Sequence, residues 1–181
     1  MFDAQDRAVI PFLVLTLPRS RSFWLSKFLD CPHEPSRHFR SGEALCAYFN
    51  DGACGVDTAL GSIWHGYDPL VRRDLRVVVV HRPVADVLAS LDRLGIRHPN
   101  LEAGLHRQAN RMTEIRGAHF TYSQIATYEG AARLFHACRG EACDVDRWNE
   151  MKDDRREADL RAILRDAVAN PGFRDLYGLA A

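Results

Sequence analysis

Lysine is nearly absent from this chain of 181 residues: Lys27 and Lys152 are the only two, and arginine supplies the other basic side chains. The G-x-x-x-x-G-K-[ST] run of a magnesium-nucleotide kinase is also missing, and with it the lysine and hydroxyl which that chemistry needs. Net charge is missing too, with 24 basic residues against 24 acidic ones. A balanced surface serves neither counterion release from nucleic acid nor attraction to an anionic leaflet, so neither partner is expected. No apolar run approaches the roughly 20 residues of a membrane span. The first residues, "MFDAQDRAVIPFLVLTLP", carry two aspartates and no small-residue cleavage site, and read as structure rather than a signal peptide. The five cysteines are odd in number and form no C-x-x-C, which points to reduced thiols and a cytoplasmic protein. Cys31, His33 and His38 lack a second pair at finger-like spacing, so no metal is expected. No repeat, low-complexity segment or linker interrupts the chain. One domain over residues 1–181 is expected, with a helical tail from about 145 to 181.

Apolar runs and helical patterns alternate. "FLVLTL" (Phe12 to Leu17) reads as a buried strand, and "SFWLSKFLD" as the helix after it. "CPHEPSRHF" reads as a brief strand end plus loop, "SGEALCAYFN" as a helix starting near Ser41 or Gly42, and "GVDTAL" as a strand end or turn. "LRVVVVH" (Leu75 to His81) holds four consecutive valines, the mark of a strand buried on both faces. Val84, Val87, Leu88, Leu91 and Leu94 follow at helical spacing, with Pro83 at the start and Gly95 at the stop. A longer helix is expected over "LEAGLHRQANRMTEIRG", a strand over "AHFTYS" and a helix over "EGAARLFHACRG". In the tail, Leu160, Ile163, Leu164, Ala167 and Val168 share one helical face. This alternation predicts an α/β fold of three layers, a central parallel sheet flanked by helices. Ligands of such sheets sit beyond the carboxyl ends of the strands, so the loops after Leu17, after His81 and near Cys31 should share one edge.

The first of these loops joins a buried strand to a helix start and reads Thr16-Leu17-Pro18-Arg19-Ser20-Arg21-Ser22-Phe23-Trp24. Unpaired backbone N–H groups, two hydroxyls and arginine charge suit phosphate oxygens. The stretch resembles the phosphosulfate-binding loop of the sulfotransferases, of the form T-x-P-[KR]-S-G-[ST]-x-W. The resemblance implies a P-loop-like fold of the small sulfotransferase type. It also implies that Arg19, Ser20, Arg21, Ser22, Phe23 and Trp24 bind 3′-phosphoadenosine 5′-phosphosulfate (PAPS), with Trp24 where the family often stacks adenine. Arg21 replaces the usual glycine: either it folds outward or it adds a charge, and a positive φ there strains it. The same family holds the 3′-phosphate with an arginine at the end of a central strand and a serine eight residues on. "VVVVHRPVADVLASL" supplies Arg82 and Ser90 at that spacing. "HFTYSQIATYEGAARLF" resembles the late strand and helix of the family, so the likeness spans residues 10–140. The family's C-terminal Arg-Lys-Gly loop is not visible; Arg155, Arg156 or Arg174 are candidates to replace it.

Sulfuryl transfer asks the protein to align donor and acceptor, take the acceptor's proton and meet charge on the leaving phosphate. His33-Glu34-Pro35, then Phe39, resembles the Gly-Glu-Pro and aromatic stretch of the bacterial trehalose-type sulfotransferases, which implies Glu34 as base, with His33 second. Arg19 is the group expected to meet the leaving phosphate. His65, between Trp64 and Tyr67, is read as structural ahead of an acceptor-pocket role, and His81 as a packed neighbour of Arg82. The expected acceptor is a small hydroxyl or amine compound, and a homodimer would help close the site. The rivals are a P-loop-type small-molecule kinase and a catalytically degenerate nucleotide-binding scaffold.

Overall fold

The computed structural model describes residues 10–39, 42–58, 75–97 and 99–154. His65 with its aromatic neighbours, the tail pattern over 156–172, and the candidates Arg155, Arg156 and Arg174 lie outside the described residues. The first strand, β1 (Phe12–Thr16), is buried at every position and ends where Pro18 cannot extend a ladder. Helix α1 (Ser22–Phe28) follows, then a single bridge residue, His33, and a 3₁₀ turn over Pro35–His38. This is the brief strand end plus loop expected of "CPHEPSRHF". Helix α2 (Gly42–Asn50) and strand β2 (Gly55–Asp57) come next, then β3 (Arg76–His81). The order closes with α3 (Val84–Asp92), α4 (Leu101–Glu114), β4 (Ala118–Thr121), α5 (Tyr128–Arg139) and α6 (Val145–Met151).

The described strands form one all-parallel sheet in the order β2-β1-β3-β4. Alternation along the two central strands builds a core on each face. Leu13 and Leu15, with Val77 and Val79, pack against Leu45 and Phe49 of α2, Val87 and Leu91 of α3, and Leu105 and Met112 of α4. Phe12 and Val14, with Val78 and Val80, pack against Trp24 and Phe28 of α1, Leu134 of α5 and Trp148 of α6. Three layers result, as the alternation of runs predicts. Each central valine sits in one of the two cores, worth roughly 1.5–3 kcal/mol of burial apiece. A charged residue at Val78 or Val79 would break the layer on its side.

Local chemistry sets the ends of these elements. Thr127 caps α5 by accepting the Gly130 N–H on its hydroxyl, and Gly140, at φ 75°, closes the helix in the left-handed region that glycine adopts without a Cβ penalty. Asp144 caps α6 through the Asp146 N–H at 2.9 Å. Helix α1 is finished by distant residues. Arg139 donates to the carbonyls of Leu29 and Asp30, and Arg147 to those of Phe28 and Lys27. These guanidinium groups meet the negative end of the helix dipole and donate to its last carbonyls, of which that of Lys27 also accepts the Asp30 N–H at 3.2 Å.

Candidate functional site

Strand order places a switch point between β1 and β3, because the chain leaves β1 for β2 on one side and then crosses to β3 on the other. The loop after β1 and the turn after β3 interlock there. Arg82 donates through Nη1 to the backbone carbonyl of Arg19, and Arg19 donates through Nε to the Ser90 hydroxyl at 3.2 Å. Ser90 reaches this point because Val84, Val87, Ser90 and Leu91 form the buried face of α3. The Arg82 guanidinium also lies 4.4 Å from the ring centre of Tyr122, just past β4. Its Nε is buried and has no hydrogen-bond partner among the described residues. A buried cationic donor without an acceptor is suited to an incoming anion.

The loop itself is wound tightly. Arg19 and Arg21 stand at φ 62° and φ 64°, in the left-handed region. A residue with a Cβ pays of order 1–3 kcal/mol for that conformation, which persists only where surrounding contacts enforce it. Arg21 thus occupies the conformation glycine would adopt freely, and its guanidinium turns along α1 to lie 5.0 Å from the Trp24 ring centre. The N-cap residue Arg21 makes no side-chain capping bond, and the first turn of α1 carries no acidic residue. Ser22 opens the helix with its hydroxyl 3.0 Å from His33 Nε2, and Phe23 meets the His33 ring edge-on at 5.5 Å.

Two carried-over residues are turned inward. Ser20 is fully buried and its hydroxyl reaches the Pro18 carbonyl at 3.4 Å, so it braces its own loop. Trp24 is 4% exposed, stacked on Phe28 at 4.7 Å and held by a 2.7 Å bond from its indole N–H to the Met151 carbonyl. In this structure the indole is a core side chain, and its exposure leaves no open face on which adenine could stack.

The bridge at His33 sets the second half of the site. Its strand-like pairing with Val56 places Glu34 beside the end of β2, with the Glu34 N–H on the Val56 carbonyl at 2.7 Å. Glu34 takes φ 52° and turns its carboxylate into the protein, 3% exposed. Thr58 donates to Oε1 at 2.7 Å, Arg37 Nη1 lies 3.6 Å from Oε2, and His33 Nε2 lies 3.8 Å from Oε1. Burial, then the charge of Asp57, pushes Glu34 up to about 7, against the Thr58 bond and Arg37. Burial and the Arg37 charge pull His33 down to about 4, so its ring is neutral near pH 7. Glu34 therefore has the proton affinity of a base working near neutrality. His33 is the weaker base, standing between Glu34 and the Ser22 hydroxyl.

Comparison with protein-family models, with curated proteins and with solved structures finds no match to this chain.

Sequence reasoning missed Asp57, Thr58, Gln108 and Tyr122. Asp57 and Thr58 end a short strand, where the rule for parallel sheets places ligands, so position alone could have flagged them. Gln108 occupies the same helical face as Leu101, Leu105 and Met112, a polar residue in an apolar stripe. Among the described residues no cluster of three or more His, Cys, Asp or Glu could hold a metal ion, and no helix is long and apolar enough to cross a membrane.

Proposed function

We propose that this chain is a sulfotransferase that moves a sulfuryl group from PAPS to a hydroxyl or amine of a small acceptor. One observation carries the reading. The loop resembling a 5′-phosphosulfate cradle and the arginine–serine pair resembling a 3′-phosphate clamp are in direct contact through Arg19, Arg82 and Ser90. A nucleotide carrying phosphate at both positions needs both features at one switch point. The residues present suit it: two guanidinium groups, a helix start whose N-cap residue makes no side-chain capping bond, and a buried Arg82 N–H with no acceptor among the described residues.

In this reading Arg19 and Ser22 bind the 5′ group, and Arg82 and Ser90 the 3′-phosphate. The acceptor oxygen forms a bond to sulfur as the bond from sulfur to the bridging phosphate oxygen breaks. Glu34 takes the acceptor's proton, Arg19 meets the charge on the departing phosphate, and adenosine 3′,5′-bisphosphate leaves. His33 stands between Ser22 and Glu34, its Nε2 3.0 Å from the Ser22 hydroxyl and 3.8 Å from Glu34 Oε1. The reaction belongs in the cytoplasm, where the five free cysteines stay reduced. A second copy of the chain is the partner proposed to close the acceptor side.

The product nucleotide tests the reading. At about 100 times its dissociation constant, adenosine 3′,5′-bisphosphate contributes roughly 2.7 kcal/mol of stabilisation, a rise in Tm on the order of 5 to 10 °C. AMP, without the 3′-phosphate, should give a clearly smaller rise. Equal shifts remove the 3′-phosphate assignment. A large selective shift without transfer of label from sulfur-labelled PAPS to any hydroxylated or amino metabolite favours a binding scaffold over an enzyme.

A further inference from the structure

The carboxylate of Glu34 is held from behind. Its Oε1 receives the Thr58 hydroxyl at 2.7 Å, while Oε2 is buried without a hydrogen-bond partner among the described residues. Thr58, itself 2% exposed, is the residue after β2, and its backbone carbonyl is gripped in turn by the Gln108 side-chain amide. Gln108 comes from α4, is 1% exposed, and lies among the apolar side chains that cover one face of the sheet. Its Nε2 is spent on Thr58, and its Oε1 has no hydrogen-bond partner among the described residues. A leucine there would continue the apolar stripe and avoid burying an amide oxygen. The glutamine's visible return is one bond, and that bond fixes the residue that fixes Glu34.

We propose that Thr58 and Gln108 are positioning residues for Glu34: Gln108 pins the chain at the end of β2, and the Thr58 hydroxyl occupies Oε1 so that Oε2 is the oxygen that takes the proton. The inference rests on the reading of Glu34 as the base. The division of labour follows from hydrogen-bond inventory. A threonine hydroxyl has one proton to donate, and an ionised carboxylate accepts it with one oxygen while the other keeps its lone pairs. The groups facing the carboxylate act in known directions. Asp57 from β2 disfavours the ionised form, Arg37 from the 3₁₀ turn favours it, and His33 is neutral near pH 7. The Thr58 bond favours the ionised form, so removing it alone should make Glu34 hold its proton to higher pH.

The test is a carbon-13 titration of protein labelled at the glutamate carboxyl carbon, with the Glu34 signal assigned by its loss in Glu34→Gln. Thr58→Val keeps the shape and removes the donor; it should raise the Glu34 midpoint by about one pH unit. Thr58→Ser restores the donor and should return the midpoint to within about 0.3 unit of the unsubstituted protein. Gln108→Leu should move it in the same direction as Thr58→Val but less, without lowering Tm. An unchanged midpoint in Thr58→Val, or a serine variant that behaves like the valine, overturns the proposal and leaves the base assignment intact. Movement as expected in a protein that transfers no sulfuryl group supports the positioning and removes the sulfotransferase reading instead. With a working acceptor, the acid limb of the pH–rate profile should move with the titration in each variant; a limb that stays put overturns the coupling to the proton transfer.

Discussion

The carboxyl edge of the sheet has two halves, and they handle charge in opposite ways. Between β1 and β3, Arg19 and Arg82 are half-buried cations whose contacts include a serine hydroxyl, a backbone carbonyl and a tyrosine ring. Beside β2, Glu34 and Asp57 are buried carboxylates, fed by Thr58 and by the Ser36 backbone N–H at 2.9 Å. The first half gathers positive charge at the switch point around those contacts. The second hides negative charge until one carboxyl titrates near neutrality. Ser22 and His33 are the seam, at 3.0 Å. An edge built this way separates the binding of an anion from the movement of a proton, and substitutions should affect one half without the other.

The largest break in that division is Glu34→Gln. It keeps shape and hydrogen bonding but is hardly basic, so turnover should fall ~10²–10⁴-fold while the bisphosphate-induced rise in Tm persists. Loss of both together would mean that the two halves are one. Arg82→Ala should do the reverse. The gap between bisphosphate and AMP in thermal shift should shrink to within about 2 °C, with little change in the response to AMP.

The seam itself has a signature in pH. Glu34 titrates at about 7 in the folded protein against an ordinary 4.5, so the fold holds a proton that the unfolded chain has lost, and stability declines as pH rises across that window. His33 runs the other way. Lowered from 6.5 to about 4, it makes stability rise with pH over that range. The two oppose each other between about pH 4.5 and 6.5, each on the order of 3 kcal/mol. Relative to the unsubstituted protein, Glu34→Gln should therefore show stability climbing with pH, and His33→Asn should show it falling. Urea unfolding at half-unit steps would read both slopes. Identical slopes in the two variants would show that these groups are not opposed.

The smallest effect isolates backbone strain in the cationic half. With the side chain removed in both, Arg21→Gly should be more stable than Arg21→Ala by about 1 kcal/mol, because only alanine carries a Cβ into φ 64°. A glycine variant no more stable than the alanine one would mean that the loop relaxes at no cost.

The layered sheet was legible because its signals are local. Four valines in a row can alternate between two cores only in a covered strand, and Gly95 and Gly140 both stand at positive φ just beyond the helices they stop. The pairing of the β1 loop with Arg82 and Ser90 was legible through motif spacing. What escaped depends on contacts that spacing does not encode. Trp24 lies four residues before Phe28, the interval of a packed helical face, and the motif drew attention away from that plainer reading. Ser20 looked like a phosphate ligand until its hydroxyl met its own loop. The Gln108 partner is a carbonyl 50 residues earlier, and nothing in the pattern of α4 names it.

The arginines that finish α1 set an order of events for a chain emerging from a ribosome. The helix at the head of the candidate anion site has its last carbonyls answered by Arg139 and Arg147, and its indole by Met151. Until those residues emerge, the β1–α1 unit is exposed with its cradle unbraced, although it is made well before them. A nascent chain halted before Arg139 should remain accessible to protease at α1, and one extended past Met151 should be protected there. The loop after β1 is therefore made well before the residues that brace it, and is among the last parts of this sheet edge to be assembled.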